Sequence, residues 1–387
     1  MNMQIEWSYP TTVRVGQGAA RRLAHACRDA GIKRPLIVTD KGISDSAMVR
    51  EALAECGSKL ETCGLFDEVK GNPTEGNVAA GVAVFREGGH DGVIAFGGGS
   101  PIDAGKAIAF VAGQKFPLWD YEDTNPDRGS KIDPAAIAPT IALPTTAGTG
   151  SEVGRASVIT DEVARVKRTI MHPTMMPRIA ILDPDLTADL PPHLAAATGA
   201  DALTHCLESL CSTGYHPMSE IVAMDGARII GENLVKAVSD RSDVAARQAM
   251  LVASAMGAVG FQRGLGGVHA IAQSLGAVYD KHHGLLNAIL MPYVMKANEE
   301  AIGPSCAILA RHLQLPKSTT AAVLDWVLHL REAVGIPNDL AAIGISDDEA
   351  ELIGRMSFCD GCSNTNPVPH SAKRYADIFR DAVRGRL

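Results

Sequence analysis

The segment VHAIAQSLGAVYDKHHG, residues 268–284, carries His269, His282 and His283, with Gln273 one helical turn after the first. Upstream, DALTHCLESL sets Asp201 and His205 four residues apart, so in a helix both side chains share one face. Taken singly, each is an ordinary surface or core residue. Together Asp201, His205, His269 and His283 supply three neutral nitrogens and one carboxylate, a donor set for a divalent first-row metal with room for a substrate oxygen. No cysteine belongs to the set, which favours Fe(II), Zn or Mn over a structural thiolate site. His282 is set aside, because consecutive side chains diverge on any backbone.

A second chemistry lies in GGGSPIDAGKA, residues 97–107. Gly98 and Gly99 let a phosphate approach the backbone, Ser100 can cap or donate, and Pro101 suits the first helical turn. A helix starting there turns its free N–H groups toward an anion. The spacing is not GxGxxG, and a tight turn without a ligand is the alternative. PTTAGTGSE, residues 144–152, adds the hydroxyls of Thr145, Thr146 and Thr149 after another strand. Asp40, directly after LIVT, can accept from a ribose 2′-hydroxyl and repel a 2′-phosphate; a helix cap or turn is its other reading.

Short β-branched runs alternating with amphipathic segments must position these groups. LIVTD (36–40), KLETCGLF, DGVIAFGGGS (91–100) and PTIALPTT (139–146) read as strands. Helices between them, one to about Cys56 and one over 101–112, predict parallel pairing with right-handed crossovers. After Pro191-Pro192 the chain becomes rich in Ala, Leu, Met and Glu with helical periodicity. The expectation is an α/β dinucleotide-binding domain over 1–187, Rossmann-like with a parallel sheet, then an all-α metal-binding and substrate domain over 188–387.

Composition fits this. The 387 residues are 46% hydrophobic and 21% charged, with 36 basic against 44 acidic side chains and a net charge of −8. That balance, with no dense Lys/Arg block, speaks against nucleic acid or an anionic membrane as partner. The start MNMQIEWSYPTTVRVG lacks a basic region followed by an apolar one, and no apolar run reads as long enough to span a bilayer. Eight scattered cysteines in a chain of this size suit reduced thiols and a cytoplasmic location. Cys359-x-x-Cys362 lacks a second pair at zinc-ribbon spacing and reads as structural or incidental.

Read in order, YPTTVRVGQGA, LIVTD, VKGNPTEGNV, GGGSPIDAGKA, PTTAGTGSE, ATGADALTHCLES, GLGGVHAIAQSLG, HHGLLNAILMPYVMKAN and DGCSNTNP resemble the iron-containing (group III) alcohol dehydrogenases over nearly the whole chain. The resemblance implies the dehydroquinate-synthase-like architecture, NAD, a homodimer, and nicotinamide and metal in the cleft between two domains. Carried over by position, the metal ligands are Asp201, His205, His269 and His283. The cofactor contacts fall on Asp40, Asn72, Gly99, Ser100, Asp103, Thr145, Thr146, Thr149 and Lys167, with Asn72 and Lys167 resting on the resemblance alone. In the mechanism it implies, the metal is a Lewis acid toward the alcohol oxygen and hydride passes to the nicotinamide.

Two departures bear on the substrate. Where relatives often carry a histidine after HAxA, this chain has Gln273, which can hydrogen-bond but cannot titrate. Where many alcohol-oxidising members read FxNAGLGAVH, this chain has GFQRGLGGVH, with Gly260 and Arg263. An inward-pointing Arg263 would grip a carboxylate, giving a short ω-hydroxy acid such as 4-hydroxybutyrate, or succinic semialdehyde, as substrate. A solvent-exposed charge or a salt bridge is the alternative for Arg263, and a broad-range neutral alcohol dehydrogenase the alternative function. A metal-dependent sugar-phosphate cyclase or lyase of the same architecture, and a nucleotide-binding protein without catalysis, are rival classes.

Overall fold

An unbroken apolar run such as PLIV or VIAF is what a strand covered on both faces requires. In the computed structural model of the protein, which describes residues 11–387, those runs lie at the centre of a parallel sheet. The stretch MNMQIEWSYP, with the leader reading and the first two residues of the YPTTVRVGQGA segment, falls outside the described residues. The strands are β1 (Thr12–Val15), β2 (Pro35–Asp40), β3 (Gly64–Val69), β4 (Gly92–Gly97), β5 (Thr140–Pro144), β6 (Ala156–Asp161), β7 (Val166–Met171) and β8 (Ile179–Leu182). Six form the sheet in the order β1-β8-β5-β4-β2-β3, every neighbouring pair parallel.

Alternating side chains feed two cores. Ile37, Ile94 and Ile141 pack on one face beneath α1 (Leu23–Asp29) and α2 (Ala47–Lys59). Val38, Val93 and Ala95 pack on the other beneath α3 (Glu75–Glu87) and α4 (Gly99–Val111). From β2 the chain runs outward to β3, and from β4 it runs the other way to β5 and β8. The carboxyl ends of β2 and β4 therefore flank the topological switch point, the place where open α/β sheets bind ligands.

Two details depart from the strand reading. KLETCGLF is not a strand from its start: α2 continues to Lys59, and β3 begins at Gly64. Leu60 and Cys63 contribute their apolar surface to the core from the intervening turn. Strands β6 and β7, which the sequence reading did not identify, form a separate antiparallel hairpin, and β6 alternates in burial along its length.

The chain divides into two compact units. One runs to Thr145 and resumes over Ser151–Leu186; the other comprises Thr146–Gly150 and Thr187–Leu387. After the single turn α5 (Arg128–Lys131), the second unit contains α6 (Pro192–Cys211), α7 (Pro217–Ser239), α8 (Val244–Gly260), α9 (Gly267–Tyr279), α10 (His283–Ala297), α11 (Gly303–His312), α12 (Thr320–Ala333), α13 (Ala350–Cys359) and α14 (Ala372–Arg384). Helix α6 is its axis, buried without interruption from Ala196 to Leu210. One stretch, Val244–Arg263, is long and apolar enough to cross a membrane by length and composition, which corrects the reading that no run reaches that length. Its Ala246, Met250 and Ala253 pack into the helical core with Cys206 and Ala223, so it behaves as a core helix.

Candidate active site

Burying polar groups in a helix like α6 costs several kcal/mol unless each finds a partner. Asp201, His205 and Glu208 lie within that buried stretch, and their partners come from α9 and α10. His205 and His269 stack with ring centroids 4.7 Å apart, and His269 and His283 are 5.3 Å apart. Ligand atoms of Asp201, His205 and His269 all lie within 4.8 Å of one another, and all three side chains are buried. His283 stands at the edge of this group, its Nε2 3.0 Å from Nδ2 of Asn287. Gly284 permits that approach: a Cβ there would stand 2.6 Å from the Ala197 carbonyl oxygen and 3.1 Å from Cβ of Asp201.

The charges suit a cation. Burial pushes the Asp201 carboxyl up, but His205, His283, His269 and the Asn287 amide outweigh it and hold the group at about 2. Burial lowers His205 to about 4 against the pull of Asp201, so its ring is neutral at physiological pH. An ionised carboxylate beside a neutral imidazole is the donor chemistry a divalent metal requires. Oδ1 of Asn287 is buried without a hydrogen-bond partner, while its Nδ2 faces Asp201 and two imidazole nitrogens. The residues present fit a metal. His282, adjacent to His283, caps α10 by accepting from the Leu285 N–H.

Glu208 was missed by sequence reasoning. Its Oε1 accepts from the Val268 N–H at 2.7 Å, and its Oε2 accepts from Nδ1 of His269. A proton on Nδ1 leaves the Nε2 lone pair for a metal, so this carboxylate fixes both tautomer and ring orientation. Helix α9 has no capping side chain of its own; Asn366 accepts from the Gly267 N–H at 2.9 Å and completes the cap with Glu208. The available signal was spacing, since Glu208 sits three residues after His205 on the same helix.

Arg263 does not stand where the substrate reading required it. Its guanidinium donates to the carbonyls of Ser209 (3.1 Å), Leu210 (2.7 Å) and Gly214 (2.8 Å), with Glu220 at 3.7 Å. It caps the carboxyl end of α6, where unsatisfied carbonyls attract a cation, and this corrects the clamp reading. An aromatic beside this group is Phe261, edge-on to His205 at 5.2 Å, and Gly260 packs under Ala223. Gln273 donates to the Cys362 thiol at 3.5 Å. Both thiols of Cys359-x-x-Cys362 are free, Cys359 exposed and Cys362 half-buried.

In the α/β unit, Asp40 ends β2, its Oδ1 accepting from Gly42 N–H at 2.8 Å. Burial raises its pKa against the N–H groups of Gly42 and Ile43. Across the switch point Gly97 ends β4 at φ +149°, a conformation open to glycine, and its carbonyl accepts from Thr145 N–H at 2.9 Å. Gly98 precedes α4 without a side-chain cap, so the first N–H groups remain available to an anion. Ser100 donates to the Gly71 carbonyl at 2.6 Å, and Lys167 to Oδ1 of Asn72 at 2.8 Å, gathering these cofactor candidates in one unit. Asp103 is turned inward, accepting from Ser151 Oγ and the Val158 N–H and facing the buried Lys106 at 3.2 Å. It ties α4 to the loop at Ser151 and to β6. Thr146 and Thr149 group with the helical unit, where Gly148 lies against Thr198.

The comparisons with known proteins agree with this chemistry. The pattern of the iron-containing alcohol dehydrogenases matches residues 10–184, and that of their C-terminal domain residues 195–383. A 4-hydroxybutyrate dehydrogenase of Cupriavidus necator is 36% identical, over 97% of this chain and 99% of its own. Among solved structures, a 1,3-propanediol oxidoreductase superposes with a TM-score of 0.91 at 34% identity, covering 98% of this chain and 100% of its own. A sulfoacetaldehyde reductase of Bifidobacterium kashiwanohense, in complex with NAD+, gives 0.88 at 27% identity, covering 98% and 99%.

Proposed function

Because the chain belongs to the iron-containing alcohol dehydrogenase family and is an alcohol oxidoreductase, we propose that it interconverts a short alcohol and its aldehyde with NAD(H). The observation that carries this is the buried convergence of Asp201, His205 and His269 within 4.8 Å. We assign Asp201, His205, His269 and His283 as holders of a divalent metal, Fe(II) first, with Zn or Mn as alternatives. When bound, the ion supplies Lewis-acid polarisation of the substrate oxygen and the nicotinamide supplies or takes the hydride. Glu208 orients His269 for that ion. The free N–H groups opening α4 receive the pyrophosphate, and Ser100, Asn72, Lys167 and the threonine loop complete the nucleotide contacts. Gln273 offers a hydrogen bond four residues after His269 without a proton to exchange.

Asp40 supports NAD over NADP, since its carboxylate would meet a 2′-phosphate with like charge. The unmodified enzyme should prefer NAD(H), and Asp40→Gly should relax that preference. Equal kcat/KM for both cofactors in the unmodified enzyme would defeat the assignment.

A second reading, a short ω-hydroxy acid and its semialdehyde, is supported by the likeness to the Cupriavidus enzyme. Arg263 lends it no support, being engaged with backbone carbonyls. The comparison that decides is kcat/KM for succinic semialdehyde against butanal. A tenfold or larger preference for the acid selects the second reading, and comparable values select a neutral alcohol. We also infer a cytoplasmic homodimer, consistent with unpaired thiols among the described residues and with the frequency of symmetric dimers. Sedimentation as a monomer at micromolar concentration would refute the dimer.

A further inference from the structure

Asn287 lies four residues after His283, on the same face of α10, and is fully buried. Its amide nitrogen is 2.7 Å from Oδ1 of Asp201, 3.1 Å from Nε2 of His269 and 3.0 Å from Nε2 of His283. Three acceptors that converge as metal donors thus meet on one NH2 group. That group has two hydrogens, so it cannot satisfy all three at once. Its own Oδ1, in the same interior, has no partner.

We propose that Asn287 is a positioning residue of the metal centre, whose neutral NH2 holds Asp201, His269 and His283 in a metal-receptive arrangement before the ion arrives. The inference rests on the assignment of these residues as metal ligands. The chemistry favours an amide over other side chains. A lysine ammonium would pair with Asp201 and exclude a cation by charge. An apolar side chain would leave buried acceptors without donors, which the interior resolves only by rearranging. An amide N–H satisfies the lone pairs and yields them to a divalent ion, because a donor without net charge competes for the Asp201 carboxylate more weakly than a dication does.

The test uses the full chain stripped of metal and titrated with Co2+ against a competing chelator, with the d–d absorption as a second readout. Asn287→Leu keeps the volume and removes the donor. Its affinity for Co2+ should fall ten- to hundredfold, the range for groups that orient metal ligands, and its spectrum should change in intensity or position. A merely space-filling Asn287 predicts unchanged affinity and spectrum in Asn287→Leu, and that result overturns the proposal while leaving the metal assignment intact. Failure of the unmodified protein to take up Co2+ would instead overturn both. If the leucine variant does not fold, Asn287→Ala is read by the same two criteria.

Discussion

Replacing Glu208 by glutamine changes little in volume and much in hydrogen bonding. The carboxylate now accepts from the Val268 N–H, from the His269 N–H at 3.4 Å and from Nδ1 of His269. A glutamine keeps one acceptor oxygen but turns an NH2 toward the other two donors. With that NH2 facing Nδ1, the imidazole answers by moving its proton to Nε2, the nitrogen that faces Asp201 at 4.0 Å. That proton closes the lone pair the metal needs. Outer groups that orient a ligating histidine are worth ten- to hundredfold in metal affinity, or ~1.4–2.7 kcal/mol. The loss of negative charge at the start of α9 costs a further ~2 kcal/mol of helix stability at most. Chelator competition on Glu208→Gln, with thermal unfolding of the metal-free protein, separates the two effects. Metal affinity in Glu208→Gln within twofold of the unmodified chain would refute this account of His269.

The remaining expectations concern structure and pH. Arg263→Ala should destabilise the protein by ~2–3 kcal/mol through lost charged hydrogen bonds at the end of α6, with kcat/KM for acidic and neutral aldehydes changing together. A tenfold loss confined to succinic semialdehyde, with unfolding unchanged, would contradict that. Glu152 is fully buried, and burial raises its carboxyl from 4.5 to about 7, against its own backbone N–H and Lys106. Its protonated form therefore stabilises the fold fully below about pH 4.5, and this contribution is lost as pH rises through about 7. The shift amounts to ~3 kcal/mol, so Glu152→Gln should unfold at a higher temperature than the unmodified protein at pH 8.5 and show little difference at pH 5. Identical differences at the two pH values would rule out a buried, titrating Glu152.

Much of this was legible along the chain because it is periodic or local. LIVTD and GVIAFG announce buried parallel strands by unbroken apolar residues, and Asp201 and His205 announce a shared helical face by spacing. What remained hidden depends on which elements meet. Nothing local in ALTHCLES says that Glu208 will cap a helix starting sixty residues later, or that Asn366 will complete that cap. Arg263 shows the reverse error. A guanidinium near a metal ligand suggests an anionic substrate, but the same group also answers the unsatisfied carbonyls at a helix end, and only the packing of Gly214 against Arg263 reveals which. The neighbours of Asp103 were hidden in the same way: the resemblance gives it a cofactor contact, and the fold adds Lys106, whose ammonium is buried among the carbonyls of Ser151 and Gly154.

We propose that alcohol oxidation depends on a metal held by Asp201, His205, His269 and His283. The most direct measurement follows metal content and NADH turnover together as Fe(II) or Zn is returned to the stripped protein, alongside His269→Ala and His283→Ala. Activity should rise in proportion to bound metal, reach its plateau at one ion per chain, and be absent in both variants, which should also fail to retain the ion. Full turnover by the stripped protein, or metal retained without loss by the variants, would contradict the account.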